Sequence, residues 1–342
     1  MRGLYKIVLV FAGLIGTCCS AVSSGCRGHL SGEWYAQSAS SLRSQLLSLD
    51  QKATQHYPSA SIRKIQAMVV PHASLQYSGP LAAACWRQTK NQHITRVIIL
   101  ASSHYAPFCG VLLPSCDSFT LSSGWSLQVD QQCINSLALR TKYFKFNASS
   151  VDAKCQKKLS TDHPVALKAY EDFLVDPFDY DHSLEMQLLF CSYYLPKVKI
   201  VPLFVGTLTI EDARMVAQYL KDCVDNTTLV VVSTDGLHYG AEYDFQPFPQ
   251  DASFNKNIKK LHDRVMRPVK EGSLEKCIQE MKDSQATICG KNPLMVFLAL
   301  TEKKVFEGAV PYSIGYSLSD PSATKPSCVT YEGIVWGEPD KK

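Results

Sequence analysis

No part of this sequence gathers Lys and Arg into a block: its 35 basic and 31 acidic residues are scattered and leave a formal charge of only +4. Nucleic-acid binding normally needs a clustered basic stripe, so that class of partner is excluded. Beyond the N-terminal segment no run reaches the roughly 20 apolar residues of a spanning helix, and no transmembrane span is expected. Also missing are an internal repeat, a low-complexity tract and a Pro/Ser-rich linker, which leaves one folded domain as the simplest organisation. Hydrophobic residues make up 46% of the 342 positions, enough for a sizeable core and too many for a disordered chain.

The first residues differ from the rest. Arg2 and Lys6 precede the apolar run 7–16, and small residues follow from Thr17 to Ser24. That order is the one found in secretory signal peptides, and a signal is expected over residues 1–21 with cleavage near Ser20 or Ala21. Its apolar run is too short to span a bilayer. A lipid anchor at Cys18 or Cys19 stays open, although Ile15-Gly16-Thr17 is a poor lipobox. The mature chain is therefore expected in the secretory lumen or outside the cell.

Of the thirteen cysteines, Cys18 and Cys19 leave with the signal, and Cys26, Cys85, Cys109, Cys116, Cys133, Cys155, Cys191, Cys223, Cys277, Cys289 and Cys328 remain. In an oxidising compartment this odd number predicts disulfides plus at least one thiol left free, bound to metal or paired between chains. Asn147-Ala-Ser149 and Asn226-Thr-Thr228 are N-glycosylation acceptors, so a glycoprotein is expected.

Short apolar runs alternate with mixed segments. Ala67–Val70, Val97–Ala101, Val198–Val205 and Leu229–Ser233 read as buried strands, rich in β-branched residues and bounded by turn signals. Ser40–Ser48, Pro80–Gln88, His182–Tyr193, Glu211–Cys223, Asn255–Met281 and Pro293–Leu300 read as helices, with a break near Gly272 in the fifth. Val310–Tyr316 and Val329–Trp336 read as two late strands that pair with each other. The alternation predicts a single α/β domain over residues 26–338, a central mixed sheet flanked by helices.

Open α/β sheets bind ligands beyond the carboxyl ends of their strands. His72 and His104 follow the first two runs, and Asp235 and His238 follow the fourth. Neutral imidazole is the commonest side-chain ligand for zinc, copper and iron, and strand ends fix its direction. One such histidine alone reads as structural; three in the same topological position read as a site. In Asp179–Glu185, Asp181 or Ser183 caps a helix start, and His182 and Glu185 lie three apart on one face. Thr287-Ile288-Cys289-Gly290 precedes a helix, where a thiolate suits a metal ligand or a reactive thiol, with a disulfide equally open.

These residues carry a resemblance. Pro71-His72-Ala73 with Tyr77-Ser78-Gly79, Ser103-His104, Asp181 to Met186, Ser233-Thr234-Asp235 with His238, and Thr287 to Gly290 resemble the ordered signature of the Memo family, with Gly32 to Tyr35 and Val329 to Gly333 at the two ends. The likeness spans about residues 28 to 337. It implies a fold similar to the class III extradiol dioxygenases, with one metal held by His72, His104 and Cys289 and with His238, Asp235, His182 and Glu185 lining the site as candidate catalytic groups. Sulfur in place of the dioxygenase carboxylate shifts preference toward copper, with iron next and zinc admissible, and argues against dioxygenase catalysis. Leu30 and Tyr105 depart from the family pattern, each standing where a His is common, and so does the signal peptide.

Two function classes follow. One is a metal-binding protein with redox capability, or a metal-dependent oxygenase or hydrolase of a small substrate, in which His238 or His182 moves protons. The other is a peptide-binding or signalling module. Memo relatives are associated with receptor-linked motility and phosphotyrosine-peptide binding, a cytosolic role that a secreted chain cannot serve unchanged. Here Trp34, Tyr77 and Tyr239 would form an aromatic wall around a bound side chain or small molecule.

Overall fold

Strands buried on both faces need no polar alternation, and the four apolar runs of the sequence form the middle of the sheet in that way. The computed structural model describes residues 25–122, 124–146, 176–320, 322 and 325–340. The segment 1–21 expected as a signal peptide, Asn147 and Cys155 lie outside the described residues. The first half comprises β1 (Gly25–Arg27), α1 (Ala39–His56), β2 (Ile62–Val70), α2 (Gly79–Arg87), β3 (Arg96–Ser102), β4 (Val111–Leu112), β5 (Ser118–Ser122), β6 (Trp125–Val129), α3 (Gln131–Ala138) and β7 (Phe144–Lys145). Then come α4 (Pro177–Tyr180), α5 (His182–Tyr194), β8 (Lys199–Val205), α6 (Ile210–Leu220), β9 (Thr228–Ser233), β10 (His238–Tyr239), α7 (Phe254–Lys270), α8 (Leu274–Ser284), α9 (Lys291–Glu302), β11 (Val310–Leu318) and β12 (Cys328–Pro339).

The sheet runs β1-β5-β6-β8-β3-β9-β2-β12-β10. Its centre, β8-β3-β9-β2, is parallel throughout, with Ile98 opposite both Val201 and Val230, and Val69 opposite Val232. Parallel neighbours need long crossovers, which the intervening helices supply. The sheet is mixed because β12 joins β2 antiparallel and forms a hairpin with β11, as expected for the two late strands. On the far side β6 pairs parallel with β8 and antiparallel with β5. The hairpin of β5 and β6 and the two-residue strands β4, β7 and β10 went unrecognised in the sequence. Each is too short for a periodic signal or, in β5, too rich in Ser and Thr.

Helices cover both faces: α1, α2 and α5 pack as one group, α6 and α9 as another, and α5 and α9 both rest on β3 and β9. Helix α5 is buried almost all round, from Ser183 to Ser192. The expected break near Gly272 separates α7 from α8.

Disulfides join Cys26 to Cys116 and Cys133 to Cys223, and Cys109 is also disulfide-bonded. Among the described residues Cys85, Cys191, Cys277, Cys289 and Cys328 are free thiols. Of these only Cys289 is not fully buried. Asn226 lies exposed on the turn before β9. No helix among the described residues is long and apolar enough to cross a membrane.

Candidate metal centre

The strand order decides which loops meet. Because β9 lies between β3 and β2, the turn carrying Asp235 stands between the loops carrying His72 and His104. The ring centroids of His72 and His104 are 5.2 Å apart, and His182, at the start of α5, lies 5.2 Å from His72 and 4.4 Å from His104. One ligating nitrogen from each of these three histidines lies within 4.8 Å of the others. The Cys289 sulfur approaches His72 Nε2 to 3.3 Å.

Buried partners orient the rings. Ser233 Oγ donates to the Ser183 carbonyl at 2.6 Å, so toward His72 Nδ1, at 2.9 Å, it accepts. His72 therefore carries its proton on Nδ1 and presents Nε2 as a lone pair. Gln187 reinforces the arrangement by donating to the same hydroxyl at 3.1 Å and to the Pro71 carbonyl at 3.0 Å. His104 Nδ1 faces Asp181 Oδ1 at 3.1 Å, and the other Asp181 oxygen accepts the His104 backbone N–H at 2.5 Å. His238 Nδ1 lies 3.1 Å from the carbonyls of both Gly236 and Thr287, two acceptors that require a proton there. All three rings are thus anchored through Nδ1, which leaves Nε2 as the nitrogen free of these partners. His182 is different: its Nδ1 is buried and has no hydrogen-bond partner.

Charge follows from these contacts. Burial, with the neighbouring His104 and His182 rings, holds His72 well below the usual imidazole range. His182 is lowered to about 4 by burial and then by the charge of His104. Burial would lower His104 as well, but its bonds to Asp181 and Cys289 outweigh that and raise it to about 10. Its side chain is a quarter exposed, and water moderates the effect. Burial raises Asp181 less than the His104 contacts lower it. Asp235 is raised by burial although it accepts the backbone N–H groups of His72 at 2.8 Å and Ala73 at 3.3 Å.

Cys289 is held by a tight junction. The Asp235 backbone N–H points at its sulfur at 3.3 Å, and Gly290 N–H donates to Thr234 Oγ1 at 2.9 Å. A Cβ on Gly290 would collide with the Thr234 side chain, so only glycine lets the two loops meet. On the other flank Thr330 clamps the turn: Gly236 N–H reaches its carbonyl at 2.7 Å and Leu237 N–H its hydroxyl at 2.6 Å. Behind it, His262 bridges the Thr330 hydroxyl at 2.8 Å and Glu332 at 3.1 Å.

Two cavities flank the cluster. One, about 740 Å³, is lined by Trp34, Tyr77, His182, Asp235, His238 and Tyr243. The other, about 560 Å³, touches His104, Cys289, Thr207 and Asn292.

The structure therefore brings together His72, His104, Cys289, His182, Asp235 and His238, with Trp34 and Tyr77 on the cavity wall. Two sequence expectations are corrected. Tyr239 is buried away from the cavity, its ring against Phe248 and Phe254 and its hydroxyl on the Phe248 carbonyl, because the alternation of β10 turns it inward. Glu185 does not face the cluster. It accepts the backbone N–H groups of His29 at 3.0 Å and Leu30 at 3.1 Å and the Tyr35 hydroxyl at 2.6 Å. Ser233 and Gln187 were missed as orienting groups; their signal was a polar residue set in an otherwise apolar buried segment. Asp181 was read only as a helix cap, and it does accept Ser183 N–H at 2.9 Å.

The chain is similar to several known proteins. The Protein memo-1 homolog of Caenorhabditis elegans is 26% identical over 264 residues, 74% of this chain and 67% of its own. A MEMO1 family protein of Schizosaccharomyces pombe is 25% identical over 79% of this chain and 85% of its own length. Protein MEMO1 of Xenopus laevis is 28% identical over 79% and 82%. The solved structure of the uncharacterized protein JW3007 from Escherichia coli K12 covers 80% of this chain and 99% of its own at a TM-score of 0.38 and 13% identity, too slight a likeness to carry an argument. The family model of Memo-like proteins matches residues 27–335, nearly the whole described fold, and the chain belongs to the Memo family.

Proposed function

We propose that this protein is a secreted metal-binding member of its family that holds one copper or iron ion at His72, His104 and Cys289, with His182 as an adjoining nitrogen donor. The observation that carries the reading is the buried His182 Nδ1, with no hydrogen-bond partner and Asp181 Oδ1 no nearer than 3.9 Å, in a cluster where His72 Nε2 and Cys289 Sγ stand 3.3 Å apart. Tetrahedral coordination at the usual metal–nitrogen and metal–sulfur lengths places two ligands about 3.5 Å apart, which suits the His72–Cys289 pair, and His104 and His182 offer nitrogens within 4.8 Å of that of His72. Mixed nitrogen and sulfur donors favour copper, then iron, with zinc admissible.

The surrounding residues do the work expected of a metal's outer shell. Ser233 and Asp181 fix the tautomers of His72 and His104, and Asp181 makes His104 a stronger donor. Ligation requires His104 to give up its Nε2 proton and Cys289 its thiol proton, so loading releases protons. A bound copper or iron ion would supply one-electron redox chemistry. His238, with Nε2 open to the larger cavity, accepts a proton from a ligand there, and Asp235 beside it is a second acceptor. Disulfides among the described residues agree with an oxidising compartment.

Elemental analysis of protein purified from a secretory host tests this reading. One copper or iron per chain is expected, lost in a His72→Ala, Cys289→Ser double variant. Retention of the metal by that variant, or a Cys289 found in a disulfide, would defeat it. A second reading, a binding module for a small molecule or peptide, draws on the aromatic lining of the larger cavity. It predicts that binding survives in a metal-free His72→Ala, His104→Ala variant.

A further inference from the structure

The segment from Gly28 to Tyr35 runs as a strap beside the cluster. It starts at the Cys26–Cys116 disulfide, where Gly28 N–H still reaches the Thr120 carbonyl at 2.9 Å. It ends where Ala36 N–H donates to Gln45 on α1 at 3.0 Å. Between these points it is a closed turn and not a slack loop: Glu33 and Trp34 N–H groups return to the Leu30 carbonyl at 3.1 and 3.0 Å, and Gly32 N–H to the Tyr35 carbonyl at 2.8 Å. Gly32 supplies the φ of +92° that the turn needs.

A closed turn moves as one piece, so whatever fixes its middle fixes Trp34. That middle point is Glu185. Its two oxygens collect the His29 and Leu30 backbone N–H groups and the Tyr35 hydroxyl, and the His29 ring nitrogen lies 2.8 Å from it. A Cβ on Gly28 would stand 2.5 Å from Glu185 Oε1 and 2.7 Å from the Tyr35 hydroxyl, so the strap passes against the carboxylate with no room for a side chain. Glu185 belongs to the same helix as His182 and lies one turn further along, on the same face. Trp34, carried by the strap, lies with its ring centroid 5.0 Å from that of His182.

We propose that Glu185 is a positioning residue that acts through the strap: it seats Trp34 over His182 and thereby sets access to the cluster from the larger cavity. One rigid helix carries both the latch and the imidazole that the latched indole covers, so the cover keeps its register with the site. Glu185 is not among the residues that line the larger cavity. Its importance to the metal centre rests on the proposed role of His182, whereas the covering of His182 by Trp34 does not.

The test reads that covering directly on the metal-free full chain. Carbethoxylation of His182 by diethyl pyrocarbonate, timed by peptide mass spectrometry, is compared with that of His238 in the same samples. Loss of three hydrogen bonds to a carboxylate raises the open fraction of the strap at least about tenfold, so Glu185→Ala should speed His182 modification by at least about tenfold while His238 keeps its rate. Trp34→Ala should give the same increase, and the double variant no more than either. Glu185→Gln keeps the volume but turns an amide N–H₂ toward the strap's donors, and it should also open the strap if Glu185→Ala folds poorly. A His182 rate unchanged in both Glu185 variants, a rise shared by His238, or additive effects in the double variant would overturn the proposal. Wild-type protein that binds no metal would end the metal reading and leave these ratios standing, so the two failures are distinguishable.

Discussion

Replacing Asp181 by Asn tests the orientation of the centre most sharply, because it removes a charge and almost no volume. Asp181 accepts from His104 N–H, His104 Nδ1 and Ser183 N–H, and Asn keeps only one oxygen to serve them. Breaking a buried charged pair costs roughly 3–5 kcal/mol, but water reaches His104, whose side chain is a quarter exposed, so on the order of 2–3 kcal/mol is expected in the metal-free protein. The loss depends on pH with a defined sign. His104, raised from 6.5 to about 10, stabilises the fold fully below 6.5 and loses that contribution as pH rises through about 10. Asp181, lowered from 3.8, contributes above 3.8 and loses its contribution as pH falls through its depressed value. Denaturant melts should therefore show the widest gap between wild type and Asp181→Asn from pH 3.8 to 6.5, narrowing toward pH 10. Chelator competition should show metal affinity reduced about 10- to 100-fold, the usual penalty for losing a carboxylate behind a ligating histidine. A variant that melts and binds like wild type at pH 6 would show that Asp181 caps α5 and does nothing for His104.

Gly290→Ala should destabilise the fold by about 1–3 kcal/mol, read by denaturant melts, and should weaken metal binding by pushing Cys289 away from Thr234. Thr330→Val leaves Leu237 N–H and His262 Nδ1 without partners; it should cost about 2–4 kcal/mol, with Thr330→Ser recovering most of the loss in the same melts.

Much of the fold was legible because its centre is parallel. Strands β2, β3, β8 and β9 are buried on both faces and so appear as unbroken β-branched runs, and the rule that sites lie beyond their carboxyl ends led directly to His72, His104 and Asp235. What remained illegible depended on long-range pairing. The direction in which Glu185 points is decided by where a strap some 150 residues earlier in the chain happens to pass, as its bond to Tyr35 shows. Helical spacing places it on the face of His182 but cannot say that another segment reaches it first. The inward turn of Tyr239 is likewise set by pairing with Cys328 on β12, not by its neighbours in sequence. The orienting role of Ser233 was hidden because a hydroxyl that ends an apolar strand looks the same whether it meets an imidazole or a backbone carbonyl.

The contact between His72 and Cys289 joins residues 217 positions apart, and Asp181 reaches His104 across 77. Donors so widely scattered meet only where the loops after β2 and β3, the start of α5 and the loop before α9 come together in the folded chain. An ion bound there would recognise the complete native chain and nothing earlier on the folding route, so its uptake would register successful maturation and would stabilise only the end state.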